Sequence, residues 1–375
     1  MMEKRNSMDG LGGRCAIVGV GYTDITRRSD RSIGALAVDA ACDAIRDAGL
    51  ERADIDGYVG SPAGSIGFDE VSSRRLVSDL GLNDVRWAMD VQGMATGMVV
   101  AAVHALCAGT CNYVVAAKAM YNPATPKPVN AGPLYAGGAE QFALPYGIGP
   151  GGGRFALRLA RYMHDHSATR DELFEIAALS RSNAQLNPYA IWGGADALSK
   201  ADYLNARWIN QPMCLYDADM PVCGAGAVIL TTADRAKDLR QPPAYISGFS
   251  NAENPQRLFE MAGVIQKDVQ VAQLYDGYSF MVWMALEELG FCERGDAHEY
   301  ARRDRLGIKG ELPINTFGGA LGEGRLHGIG HLREGAIQVM GRGKERQVEN
   351  VNHAVVHVGI PEASWNLLLS ADNSN

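Results

Sequence analysis

The sequence predicts an α/β protein with a layered core built from two similar halves and a long insertion between them. Three observations predict it. Short apolar runs alternate with stretches that carry apolar residues at helical spacing. The series glycine, helix, glycine, polar turn, apolar strand occurs at 96–119 and returns, with a longer turn, at 328–359. Between the repeats, from about 120 to 240, the chain changes character.

In the first half, 14–21 is a short apolar run ending in glycines. Residues 33–50 follow with Leu, Val, Ala and Ile at helical spacing, closed by Gly49. A strand at 56–60, a polar helix around 70–80, a strand at 87–91, a long Ala/Val helix at 96–108 and a strand at 112–119 complete it. Strands alternating with helices imply a mostly parallel sheet. The second half offers strands at 244–249 and 270–275, helices at 279–289 and 327–340, and strands at 354–358 and 366–370. The intervening 122–153 is rich in Gly and Pro, and 155–198 carries charged amphipathic helices, as expected of a cap over a pocket. The division is therefore a first half at 1–119, an inserted loop and cap region at 120–224, a return to the first core at 225–243, and a second half at 244–375.

With 375 residues, 47% hydrophobic, the chain is long enough to bury a large core. A net charge of −8 opposes binding to nucleic acid or anionic membranes. The opening residues lack the apolar core of a signal peptide and no run reaches the length of a membrane span, which points to the cytoplasm. Seven scattered cysteines read as buried thiols rather than disulfides or zinc ligands, and His164 and His166 as a solvated helix surface. No metal or cofactor held by this chain is expected.

Gly19-Val-Gly21 and the glycines at 147–153 lack the strand, spacing and helix that a phosphate loop needs, and are read as turns. Leu274-Tyr-Asp-Gly-Tyr-Ser279 stands at a strand end before a helix. Tyr275 and Asp276 there fit either proton transfer in a pocket, or a core aromatic and a helix cap. The glycine-dense stretch from Asn315 to Gly330 places Arg325 and His327 on a loop whose backbone can approach a ligand. Arg325 suits an oxyanion, carboxylate or phosphate, and His327 a proton shuttle; each equally suits a structural role. His357 ends an apolar strand, poised between function and structure.

Together these segments resemble the thiolase superfamily, specifically the sterol-carrier-protein thiolase branch and its lipid-transfer-protein relatives, over nearly the whole chain. In Asp90-Val-Gln-Gly-Met-Ala-Thr-Gly97, Met94 matches the nucleophilic cysteine. Leu274 to Ser279 matches the His-Asp-Cys-Phe segment, Gly324-Arg-Leu-His-Gly328 matches Gly-His-Pro-x-Gly, and Val356-His-Val-Gly359 matches the terminal acid/base motif. The resemblance implies a duplicated thiolase fold with a five-layered αβαβα core. Because a thioether forms no acyl-enzyme, Met94 argues against Claisen condensation.

Relatives without the cysteine cleave steroid side chains by a retro-aldol reaction on a β-hydroxyacyl-CoA, which needs no covalent intermediate. The resemblance then makes Tyr275 the proton-transfer residue, with His357 or His327 orienting it or sharing that role. Arg325 would lower its pKa from about 10. Met94 and Asp276 would line the acyl-CoA pocket, and backbone N–H groups near Gly93 and Gly359 would hold the enolate. Coenzyme A enters only as part of the substrate. The family also implies a homodimer joined by two small subunits, each bearing an OB-fold and a zinc ribbon. Two other readings stand: an acyltransferase using another thiol such as Cys223, and a non-catalytic acyl-CoA- or lipid-binding subunit.

Overall fold

The computed structural model describes residues 9–61, 72–91, 94–121, 138–148, 152–360 and 362–373. Its strands are β1 Cys15–Tyr22, β2 Gly57–Gly60, β3 Trp87–Asp90, β4 Tyr113–Met120, β5 Trp208–Asn210, β6 Met213–Cys214, β7 Gly224–Thr232, β8 Ala244–Asn251, β9 Val271–Leu274, β10 His353–Val358 and β11 Trp365–Ser370. Nine of them form one sheet in the order β3-β2-β4-β7-β1-β8-β11-β10-β9, while β5 and β6 make a separate ribbon.

The duplication is visible in the strand order. Outward from the centre, the first half runs β1, β7, β4, β2, β3 and the second runs β8, β11, β10, β9. A parallel bridge from Ile314 to Ala272 takes the place that β3 holds in the first half. Pairing directions agree step by step: antiparallel, antiparallel, then parallel. The halves meet where β1 and β8 pair at only two positions, Ala16↔Tyr245 and Ile17↔Ala244. The sheet is mixed rather than mostly parallel. β7, arriving after the insertion, runs back between β4 and β1, and β11 returns directly beside β10, so both add antiparallel pairs.

Two helices lie between the half-sheets. Ala95–Cys107 is apolar nearly all round and Ile329–Val339 is buried at every residue. Each touches strands of both halves, and they touch each other. The polar residues of Ile329–Val339 survive burial by pairing: Glu334 accepts from Arg346 and from Thr316 Oγ1 at 2.8 Å. Outside, helix Ile33–Ala48 covers β1, β4 and β7, while Arg257–Ala262 and Phe280–Glu288 cover the second half. These are five layers, helix to helix.

Helix Ile33–Ala48 starts at Ser32, whose Oγ accepts from Ala35 N–H at 3.2 Å, and stops at left-handed Gly49. It explains Gly19 and Gly21, which sit inside β1 rather than in a turn. A Cβ on Gly21 would lie 2.0 Å from Ala40 O, so glycine lets strand and helix touch. The central helix begins at Ile329, two residues later than the apolar pattern suggests, because His327 and Gly328 adopt left-handed backbone. Among the described residues, no helix is long and apolar enough to cross a membrane, and no trio of His, Cys, Asp or Glu gathers as a metal site would require.

Candidate active site

Helix Ala95–Cys107 starts at Met94, whose backbone is extended and whose side chain does not cap the helix. Half-buried Met94 packs against the core, and Ala95 N–H donates to His327 O at 3.2 Å. The expected nucleophile position thus adjoins the glycine-rich loop. Gly93 lies outside the described residues.

That loop turns through left-handed backbone at Gly324 (φ 127°), His327 (φ 49°) and Gly328 (φ 88°). Side chains are excluded at the glycines, where a Cβ would meet Val222 at 2.6 Å and Val358 at 2.2 Å. His327, having a Cβ, holds a sparsely populated conformation that costs on the order of 1–3 kcal/mol and is often found at functional sites. Its ring nitrogens make no hydrogen bond among the described residues. Burial, aided by the charges of Lys118 and Arg325, pushes its pKa down to about 3, so the ring is neutral at neutral pH.

Residues 218–221 stitch this loop to the tyrosine-bearing turn. Asp219 N–H donates to Gly277 O at 3.1 Å and Arg325 N–H donates to Met220 O at 2.8 Å, while Ala218 bridges Tyr278 and Pro221 bridges Arg325. The stitching brings Asp219 beneath Arg325, whose Nε and Nη2 both donate to Asp219 Oδ1, at 2.7 and 2.5 Å. Asp219 Oδ2 is buried with no hydrogen-bond partner among the described residues. Burial raises the Asp219 pKa to about 6 against the opposing pull of Arg325.

Tyr275 closes β9, its N–H donating to His357 O at 2.9 Å. The ring lies against Gly277 and 5.5 Å from the ring of His331. The side chain is buried, and its hydroxyl makes no hydrogen bond among the described residues. Burial and the Asp219 charge raise its pKa well above 10, and Arg325 only partly opposes them. This corrects the expectation that Arg325 would make Tyr275 a base: the guanidinium is held by Asp219, and Tyr275 stays protonated. Tyr278, half-buried, stacks on Phe155 at 5.2 Å at the start of helix Gly152–His166 in the inserted region.

Two further expectations are corrected. Asp276 is fully buried and its oxygens are taken by Ala320 N–H at 2.6 Å, Leu321 N–H at 3.3 Å and His331 Nε2 at 2.9 Å. It caps helix Gly319–Glu323 and holds His331, leaving no oxygen free for a substrate. A Cβ on Gly319 would lie 2.0 Å from its Oδ2. His357 points away from the cluster. Its neighbours Val356 and Val358 face the central helices, so by strand alternation His357 faces the outer layer, where its Nε2 lies 3.6 Å from Glu288 Oε2. That distance is too long for a hydrogen bond. Gly359 has φ 145°, and a Cβ there would lie 2.4 Å from Ser364 Cα, so the turn between β10 and β11 already requires glycine.

The structure therefore gathers Tyr275, Arg325 and His327 near Met94, and adds Asp219, His331, Tyr278 and Lys118. Lys118 is buried on β4, donates to Ser61 Oγ at 2.7 Å, and is pushed down to about 8 by burial. One signal for Asp219 was present in Leu215-Tyr-Asp-Ala-Asp-Met-Pro221. Asp217 of that pair is structural, accepting from Tyr203, Cys214 N–H and Ser279, and only the fold separates the two roles.

A steroid side-chain-cleaving aldolase of Thermomonospora curvata is 32% identical, with the alignment covering 97% of this chain and 100% of that protein. The chain belongs to the thiolase-like family of steroid side-chain-cleaving aldolases. A 17-hydroxy-3-oxo-4-pregnene-20-carboxyl-CoA lyase of Mycobacterium tuberculosis is 30% identical to this aldolase across 96% of it and the whole of that relative. A solved Ltp2–ChsH2(DUF35) aldolase superposes with a TM-score of 0.89 at 31% identity, covering 97% of this chain and 99% of that one. Human mitochondrial 3-ketoacyl-CoA thiolase shares the fold, at a TM-score of 0.68 and 14% identity over 96% of this chain and 99% of that one. Residues 237–361 match the thiolase C-terminal domain-like family.

Proposed function

We propose that this chain cleaves a β-hydroxyacyl-CoA steroid side chain by a retro-aldol reaction, releasing a ketosteroid and a short acyl-CoA. The observation that carries the reading is the buried Oδ2 of Asp219, unpartnered among the described residues, beside Arg325 and a Tyr275 that stays protonated, in a site where Met94 stands in place of the nucleophilic cysteine. Asp219, ionised at neutral pH, accepts the proton of the β-hydroxyl. The oxygen lone pair becomes the ketone C=O, the carbon–carbon bond breaks, and its electron pair passes into the thioester enolate. Neutral His327 donates its ring N–H to the enolate oxygen, and Gly93 and Gly359 are the proposed backbone donors. Tyr275 protonates the α-carbon, and the proton on Asp219 restores its hydroxyl.

Arg325 keeps Asp219 ionised, and Met94 borders the acyl chain. The inserted region at 120–224 forms the cap, supported by the contact of Phe155 with Tyr278. Two copies of this chain pair through their first halves, supported by edge strand β3, which is exposed along most of its length and presents Met89. A small OB-fold and zinc-ribbon subunit completes the acyl-CoA site, giving an assembly with two copies of each chain. Its support is the related aldolase, solved as Ltp2–ChsH2(DUF35).

Acyl transfer through Cys223 has little support, because that thiol lies in the core with no exposed surface. The test is mass spectrometry of products from a β-hydroxyacyl-CoA steroid, with and without the small subunit. A ketosteroid plus a shortened acyl-CoA is expected; acyl transfer alone, or binding without turnover in the presence of the subunit, overturns the reading.

A further inference from the structure

At the far end of the helix that begins beside Met94, two thiols face each other. Cys107 is the last residue of helix Ala95–Cys107 and Cys15 is the first of β1. Their sulfurs are 3.7 Å apart although 92 residues separate them in the chain. Cys15 is fully buried, whereas Cys107 is half-buried and forms part of the wall of a cleft of about 660 Å³. Arg14 and Arg235 line the same cleft together with Asp234 and Asp238, and of these charges it is that of Arg14 that favours an anionic sulfur at Cys107. A peroxide-sized molecule can therefore reach one sulfur and not the other.

We propose that Cys107 and Cys15 form a reversible oxidation site for hydrogen peroxide, with Cys107 the attacking thiol and Cys15 the resolving one. The Cys107 thiolate attacks a peroxide oxygen, the O–O bond breaks, and hydroxide leaves and takes up a proton as water. Cys107 becomes a sulfenic acid. The Cys15 sulfur then attacks that of Cys107, giving up its proton; the S–S bond forms, the S–OH bond breaks, and a second water leaves. The two sulfurs together lose two electrons and the peroxide gains them.

The order follows from the surroundings. The contact with Cys15, against partial burial and aided by the charge of Arg14, lowers the Cys107 pKa, while the same contact and burial raise that of Cys15. Cys111, nearby in sequence, is buried and raised to about 11, so it is a poor competitor. The link would tie the end of the central helix to β1, at the opposite end from the site, so the active-site residues need not take part.

The purified full chain is treated with hydrogen peroxide, the remaining thiols are alkylated, and the protein is digested without reductant. The expected result is a peptide pair joined through Cys15 and Cys107, two hydrogens lighter than the reduced pair and separated by dithiothreitol. The link is lost in Cys107→Ser and in Cys15→Ser and kept in Cys111→Ser. In Cys15→Ser, dimedone traps the sulfenic acid at Cys107 at least about tenfold faster than at Cys292, whose thiol burial raises. The wild-type peptide map needs no variant to fold. The proposal is overturned if Cys107 stays reduced under peroxide, or if Cys107 is recovered joined to a cysteine other than Cys15.

Discussion

Arg325 donates both Nε and Nη2 to a single oxygen of Asp219, at 2.7 and 2.5 Å, and leaves the second oxygen buried without a hydrogen-bond partner among the described residues. In the proposed reaction this pair supplies the base. The charge that stabilises the carboxylate comes from one side, and the second oxygen keeps its lone pairs unused by any described residue.

Asp219→Asn keeps the shape and removes the base, so kcat for cleavage is expected to fall by about 10²–10⁴ with little change in KM. In the wild type, kcat/KM is expected to fall as pH drops through about 6, because protonation of Asp219 removes the free base. Arg325→Met removes the attraction that opposes the burial of Asp219, and the acid limb moves to higher pH. A profile of kcat/KM from about pH 5 to about pH 8, which spans the limb and its upward shift, reads both effects. An unmoved limb in Arg325→Met counts against Asp219 as the base.

Tyr275→Phe removes a hydroxyl that makes no hydrogen bond among the described residues. The fold should stay within about 1 kcal/mol of wild type, since no internal bond is lost. Cleavage should drop by about 10²–10⁴ because the α-carbon loses its proton donor. Urea unfolding and product formation measured on the same preparation separate the two; undiminished turnover would sink the assignment.

Asp276→Ala leaves His331 Nε2 and the N–H groups of Ala320 and Leu321 without their buried acceptor. The expected loss is about 3–5 kcal/mol, as for breaking a buried pair by removing one partner. Chemical denaturation checks it. A variant as stable as wild type but weak in acyl-CoA binding would return Asp276 to the substrate pocket.

His357→Leu alters the outer layer, where the ring lies 3.6 Å from Glu288. Its effect should appear in the melting temperature, with kcat near wild type. A large fall in kcat at unchanged stability would place His357 back in the chemistry.

Met94→Cys puts a thiol at the start of helix Ala95–Cys107, yet no acetyl-CoA condensation is expected. Arg325 stands where the matching loop histidine would be, and a guanidinium does not exchange protons near neutral pH. Incubation with acetyl-CoA, followed by intact-mass analysis and a condensation assay, tests this. Acetoacetyl-CoA formation would contradict it.

Much of the fold was legible because its signals are local. Apolar runs bounded by glycines, the Gly49 stop, and the repeated series at 96–119 and 328–359 each reflect residues close in sequence. Met94, Tyr275, Arg325 and His327 stood out as candidates for the same reason, since each lies in a short motif beside a strand, helix or glycine-rich turn. His357 was misplaced because alternation tells that it faces opposite to Val356 and Val358, and only packing tells which face looks at the central helices.

The sequence by itself determined the two-half layered architecture, the absence of a cysteine at the nucleophile position and the tyrosine at the end of β9. Tertiary structure alone decided the electrostatics. Asp219, Tyr275 and Arg325 come from three segments far apart in the chain, joined by the backbone bonds of 218–221 to Gly277 and Arg325. Burial then sets their protonation, because the cost of a charge depends on the solvent excluded around it and on the partner brought within reach. Neither quantity is carried by residue type or spacing.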